Sequence, residues 1–203
     1  MTPRKPRLIA LDGGAGAPLN AIARNLAHSL RDATGVGGVS AWDASGIFTD
    51  LSADDSEVAT ASARTLTLLY AADLAFRVRW HIGPALEAGE PVVAVPYIES
   101  AKALALAAGL QKRWLDELFA FAPKPSVCYR VDPAVLRGTS SGRSGYPEWF
   151  TGIVAGNGHS LTPKQLHAKS SEYLKAAEAR RRCKLLTPAE MDRLTHPPVR
   201  RQR

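Results

Sequence analysis

The sequence reads as a three-layer α/β sandwich, with a mostly parallel sheet of about five strands flanked by helices. Three observations carry that reading. Leu8–Leu11 and Val92–Val95 are short, wholly apolar runs, as strands buried on both faces require. Segments with apolar residues at helical spacing alternate with such runs, which implies parallel strands joined by crossovers. The chain has 203 residues, 45% of them apolar and 22% charged, an ordinary balance for one globular α/β domain.

The elements follow in order. Leu8–Leu11 enters a glycine-rich turn, Gly13-Gly14-Ala15-Gly16, and Pro18 suits the first turn of a helix. Ile22, Ala23, Leu26, Ala27 and Leu30 give that helix one apolar face, which fades at Thr34-Gly35. Val39–Trp42 is expected as a second strand, and residues 46–60 as a loop with broken helix. A long helix is expected from Arg64 to Glu87, where Leu66, Leu69, Tyr70, Asp73, Arg77 and Trp80 share a projection and Gly89 ends the run. Val92–Val95 is rich in β-branched residues, and Pro96 stops it. Helices are expected over Ser100–Ala108 and Leu110–Phe119, then a strand over Val127–Val131. Gly138–Gly145 is a polar glycine- and serine-rich loop. Leu161-Thr162-Pro163 opens a last long helix through Arg182, followed by an edge strand at Cys183–Leu186 and a helical turn at Pro188–Leu194. Ligands of such sheets sit beyond the carboxyl ends of the strands, here near 12–18, 43–47, 95–100 and 132–145.

No apolar run reaches the length of a membrane span, and the stretch after the basic N-terminus is too short for a secretory signal. With only Cys128 and Cys183, the expectation is a reducing, cytoplasmic setting without a disulfide. Cys128 reads as a small buried hydrophobe; three arginines before Cys183 would favour its thiolate if exposed. The net charge of +7 is concentrated after Arg180, where eight Lys or Arg face only Glu190 and Asp192. This basic end, with residues 196–203 as a tail, could attract an acidic or nucleic-acid partner. The histidines pair with no cysteine or carboxylate at zinc-like spacing, and no Gly-x-Ser-x-Gly nucleophile elbow is present, so no metal site or hydrolase is assigned.

A strand, a glycine-rich turn and a helix form the setting of a phosphate-binding loop, Gly-x-x-x-x-Gly-Lys-Ser/Thr. The window here is Gly13-Gly14-Ala15-Gly16-Ala17-Pro18-Leu19-Asn20. Its first glycine stands. Pro18 replaces the second, Leu19 the lysine and Asn20 the hydroxyl residue that would meet Mg²⁺. One charge contact at ~4 Å is worth about 4 kcal/mol at an effective dielectric near 20, so leucine forfeits a large part of the grip on a triphosphate.

The wider sequence resembles bacterial thymidylate kinases over most of residues 7–133. Leu8–Gly13 matches their first strand and the acidic residue before the loop. Ser62–Asp73 resembles Ser-Pro-Arg-Thr-Glu-x-Leu-Leu-Phe-Ala-Ala-Asp, and Pro84–Gly89 resembles Arg-Pro-Ala-Leu-x-x-Gly. Val92–Ser100 occupies the stretch Val-Val-x-Asp-Arg-Tyr-x-x-Ser, and Phe121–Pro133 the next strand and its end. The resemblance implies a P-loop NTPase-like fold in a single domain over 1–195, with a lid-like loop at 137–146. It also implies ATP and Mg²⁺ as cofactors and a dimer with helices packed across a two-fold. That dimer would be a homodimer or a heterodimer with an active paralogue or another protein, with Leu66, Leu69, Trp80 and Ile82 among the apolar residues retained.

The departures fall on the charged groups. Val95-Pro96 stands for the family's Asp-Arg, Leu74 for the arginine after Ala-Ala-Asp, Ala15 for the loop's acidic residue and Leu104-Ala105 for a Tyr-Gln pair. Trp42–Gly46 stands for Arg-Glu-Pro-Gly-Gly. What remains of a nucleotide site is Asp12, Gly13, Gly14 and Gly16 in the loop, Tyr70 for base stacking, Tyr97 and Ser100 in the substrate pocket, and Arg137 and Arg143 as anion contacts in the lid. Phosphoryl transfer rests on positioning and charge stabilisation, so the expectation is a pseudoenzyme that binds ATP and Mg²⁺ unproductively, if at all, and has no catalytic residue. The alternative reading is a residual or altered nucleotide binder or a nucleoside monophosphate kinase.

Overall fold

The computed structural model describes residues 8–14, 19–34, 38–53, 61–131, 135, 161–180 and 182–195, with the side chains of 31–34 and 51–53 left aside. Gly16, the lid-like loop with Arg137 and Arg143, and the tail 196–203 lie outside the described residues.

Among the described residues five strands form one parallel sheet: β1 (Leu8–Asp12), β2 (Gly38–Ala41), β3 (Val92–Val95), β4 (Val127–Val131) and β5 (Lys184–Leu186). Their spatial order is β2-β3-β1-β4-β5, so β1 lies between β3 and β4. The helices among the described residues are α1 (Leu19–Thr34), α2 (Ile47–Ala53), α3 (Ala63–Arg77), α4 (Gly83–Glu87), α5 (Ile98–Ala107), α6 (Lys112–Leu118), α7 (Pro163–Ala179) and α8 (Pro188–Thr195). None is long and apolar enough to cross a membrane.

The period of two along each strand divides the core. Leu8, Ala10, Val92, Ala94 and Cys128 face one layer, with Leu66, Tyr70 and Leu74 of α3, Leu104 of α5, Leu115 of α6 and Leu166 of α7. Ile9, Leu11, Val93, Val95, Tyr129 and Val131 face the other, against Leu19, Ile22, Ala23 and Leu26 of α1 and, at its edge, Met191 and Leu194 of α8. Both faces of β1 and β3 are covered, which is why those strands carry no polar residue before Asp12. Helix α7 starts at a capping box, where the Thr162 side chain accepts from the Gln165 N–H and Gln165 returns a bond to the Thr162 N–H.

The stretch expected as one α-helix from Arg64 to Glu87 is helical but not uniform. Between α3 and α4, Val78–Ile82 forms a π-helical turn. Pro84 has no N–H to offer the carbonyl four residues back, which interrupts the α-helical ladder there. Gly83 fits the turn because a Cβ would stand 2.8 Å from the Val78 carbonyl oxygen. The wider turn leaves Trp80 61% exposed, while Leu66 and Ile82 stay in the core.

The two cysteines correct a sequence expectation. Cys128 and Cys183 form a disulfide, with Cα atoms 4.5 Å apart. The parallel register pairs Tyr129 with Lys184, so the residue before each stands opposite the other. Both are buried, so the three arginines before Cys183 do not act on an exposed thiolate.

Candidate functional site

The crevice lies at the carboxyl end of β1, the strand whose neighbours on either side come later in the chain. Asp12 closes it from below. It is fully buried, and its Oδ1 accepts N–H bonds from Tyr97 at 3.0 Å and Ser100 at 2.9 Å. These are amides at the N-terminus of α5, where a carboxylate meets orphan donors and the positive end of the helix dipole. Burial outweighs those bonds and pushes the Asp12 carboxyl up to about 6. Ser100 is buried too. Its hydroxyl accepts from the Gly13 N–H at 3.0 Å and contacts the Gly13 carbonyl at 3.2 Å. The backbone of the loop's first glycine is therefore bonded to α5. Gly14 lines a small cavity with Gly13, Ser100 and residues of α5 and α7.

Leu19, at the lysine position, is fully buried in the α1 layer of the core. Its methyl groups lie over Gly13, where a Cβ would stand 2.9 Å from Leu19 Cδ2. Asn20, at the hydroxyl position, keeps a buried Oδ1 that accepts no hydrogen bond. Val95, at the family's aspartate position, is fully buried in the same layer as Leu19, and Val95–Pro96 is a cis peptide. Of the described residues Leu19, Asn20 and Val95, only Asn20 offers a side-chain oxygen, and none offers a charge, to a magnesium triphosphate. Mg²⁺ is held by carboxylates, hydroxyls and phosphate oxygens, and one neutral amide oxygen beside two apolar side chains replaces none of the missing charge.

Tyr70 and Tyr97, candidates from the sequence, are both buried. Tyr70 has no exposed surface. Its hydroxyl donates towards the carbonyls of Tyr97 at 2.6 Å and Pro96 at 3.0 Å, and its ring meets Phe119 edge-on at 6.1 Å. Tyr70 is expected from the sequence as a stacking residue, and in this structure its ring is buried. Tyr97 is likewise buried, and its hydroxyl donates to the Pro123 carbonyl at 2.7 Å, a packing role. Burial raises both phenols above their ordinary range.

A buried ion pair went unassigned in the sequence. Asp73 and Arg77 are fully enclosed, with Nε and Oδ2 at 3.1 Å. Arg77 Nη1 donates to the carbonyls of Pro96 at 3.0 Å and Ser40 at 3.4 Å. Asp73 accepts N–H bonds from Asp43 at 3.2 Å and Ser45 at 3.0 Å, and the Ser45 hydroxyl at 2.8 Å. The pair thus fastens the ends of β2 and β3 to α3. A signal existed: opposite charges four residues apart inside the stripe of Leu66, Tyr70 and Leu74. In the segment after β2, Asp43 adopts φ 59° and caps α2, accepting N–H bonds from Phe48 and Thr49 at 2.8 Å each. The acidic residue there serves the backbone.

Comparison with known proteins fits this geometry. No family model matches the chain. A probable thymidylate kinase of Pyrococcus abyssi (strain GE5 / Orsay) is 42% identical over 65 residues, 32% of each chain. A probable thymidylate kinase of Thermococcus kodakarensis (strain ATCC BAA-918 / JCM 12380 / KOD1) is 40% identical over 77 residues, 38% of each. The matched segments span about a third of the length of these relatives. Among solved structures, the thymidylate kinase from Ehrlichia chaffeensis superposes with a TM-score of 0.65, over 90% of this chain and 87% of that one, at 13% identity. The chain is thymidylate-kinase-like. Its fold is the P-loop NTPase-like α/β sandwich, and the likeness to the solved thymidylate kinase is one of fold. Leu19, Leu74 and Val95 are fully buried in the core.

Proposed function

We propose that this thymidylate-kinase-like chain is a pseudoenzyme that does not transfer phosphate and acts as an interaction subunit. The observation that carries the reading is Leu19, sealed in the apolar core over Gly13 at the position of the phosphate-binding lysine. The enclosure of Asp12, Tyr97 and Arg77 by protein partners supports it, since each would have to leave its bonds to meet a ligand. With ATP, Mg²⁺ and deoxythymidine monophosphate, or any other nucleoside monophosphate, no diphosphate product is expected above the protein-free rate. Turnover of any nucleotide overturns the proposal in favour of an altered kinase. Magnesium-dependent thermal stabilisation by ATP without turnover would leave nucleotide binding as the function.

The partner surface is best supported on α3 and the π turn. Leu68, Ala72, Phe76 and Trp80 recur every fourth residue and form an exposed row, at 46%, 37% and 61% for the three large side chains. Leu66 and Ile82, expected from the sequence at such a surface, serve the chain's own core. A second copy is the occupant we favour, because an apolar helical row packs on itself across a two-fold and the resemblance implies that arrangement. Sedimentation at micromolar concentration is expected to give a dimer, and Phe76→Glu with Trp80→Glu a folded monomer. A wild-type monomer would count against self-association and leave a different protein as the partner. The exposed cations Arg180, Arg182 and Lys184 keep an acidic partner as a second surface, testable by the salt dependence of binding.

A further inference from the structure

Three side chains meet beneath the end of β1, the Asp12 carboxylate of the crevice and the two cysteines that no phosphate site would use. Asp12, Cys128 and Cys183 come from β1, β4 and the residue before β5, three neighbours in the sheet. The registers Ala10↔Cys128 and Tyr129↔Lys184 bring them to one face. One carboxylate oxygen and the two sulfurs lie within 4.8 Å of one another, and all three residues are buried. The carboxylate divides its contacts. Oδ1 takes both amide bonds from α5, while Oδ2 faces Cys128 Sγ at 3.6 Å. With the disulfide formed, neither sulfur has a proton to offer that oxygen. Among the described residues Oδ2 accepts no N–H bond; the Ser100 hydroxyl is the carboxylate's other polar neighbour. A wholly buried carboxylate oxygen is thus aimed at a sulfur pair, with its second oxygen fixed by backbone amides, the kind of outer support that orients a metal ligand.

We propose that the dithiol form of this chain binds a thiophilic divalent cation of the zinc class through Cys128 and Cys183 thiolates and Oδ2 of Asp12, and that the disulfide is the same site closed by oxidation. Two soft thiolates and one carboxylate select zinc, cobalt or cadmium over magnesium or calcium. Bond lengths of about 2.3 Å to sulfur and 2.0 Å to oxygen require the sulfurs to part and rotate towards Asp12. The chemistry balances simply. A trialkylphosphine and one water reduce the disulfide to two thiols and leave the phosphine oxide. Cation binding then releases the two thiol protons to solvent. A small-molecule disulfide oxidant takes the two electrons back, regenerates the bond and expels the cation. None of this depends on whether the chain transfers phosphate.

The test is cobalt(II) titration of the full chain, reduced with phosphine under anaerobic conditions. A thiolate-to-cobalt charge-transfer band saturating at one equivalent, and displaced by zinc, is expected. Asp12→Asn should weaken cobalt binding by at least about tenfold, and Cys128→Ser or Cys183→Ser should abolish the band. Because a serine variant could unfold, zinc protection of the wild-type chain provides a second readout. Zinc should slow maleimide labelling of both cysteines at least tenfold, as read by mass. A reduced chain that gives no band, or that labels equally fast with zinc, overturns the proposal. A band of unchanged affinity in folded Asp12→Asn removes the carboxylate and overturns the three-donor assignment.

Discussion

Arg77→Ala is expected to lower the unfolding free energy by about 3–5 kcal/mol, because it leaves the Asp73 carboxylate buried without its counter-charge. Urea denaturation at neutral pH reads the loss directly. In a chain of this size it corresponds to a fall in melting temperature on the order of 10 °C. The cause is the enclosure of the pair, with both side chains at 0% exposure. Arg77 also supplies donors to the Pro96 and Ser40 carbonyls, which alanine cannot. Arg77→Lys should rescue only part of the loss, since one ammonium cannot span Asp73 and two strand ends as a planar fork does. Adding Asp73→Asn to Arg77→Met should recover part of it, because no charge then remains buried. A change below about 1 kcal/mol in Arg77→Ala would mean that the pair is hydrated and that the ends of β2 and β3 are held by other means.

The second large effect is a pH dependence. With the disulfide intact, Asp12 has a folded pKa of about 6 against an ordinary value of 3.8. Between these values the folded chain binds more protons than the unfolded one, so this group makes the fold less stable as pH rises. Its contribution is complete below about pH 4 and is lost as pH passes through about 6. The span is on the order of 2–3 kcal/mol. Other carboxylates act in the opposite sense, so the measurement is a difference. Urea unfolding of the wild type and of Asp12→Asn is compared at pH 4, 5, 6 and 7. Asparagine keeps an acceptor for the Tyr97 and Ser100 amides but has no charge to bury. The wild type should lose the stated amount relative to the variant over that range. Parallel profiles would mean that the carboxylate is solvated or neutralised in the fold, and that burial does not govern it.

Particular residues show how far the sequence could be read. The runs Leu8–Leu11, Val92–Val95 and Val127–Val131 are strands in the structure, and even the short edge strand after Cys183 stands where its apolar pair suggested. The helix through Trp80 was legible as helix, but its π turn was not, because the interruption depends on how Pro84 and Gly83 share one turn. At the site, the apolar residue type at position 19 was plain from the sequence, and the structure buries Leu19 in the core. The fate of Tyr70 was not plain. A tyrosine on a helix reads the same whether its ring meets a base or its hydroxyl meets two carbonyls at the end of β3.

Local chemistry set the strands, the helix faces and the missing phosphate ligands, because each depends on residue type and on spacings of two or about four residues. Partnership across the sheet came from the fold. Asp12 and Cys128 are 116 residues apart, and Cys128 and Cys183 are 55 apart. They meet because β4 lies between β1 and β5 in a parallel register. No periodicity along the chain records which strands become neighbours, because side-chain spacing reports which face a residue takes and not which strand lies beside it.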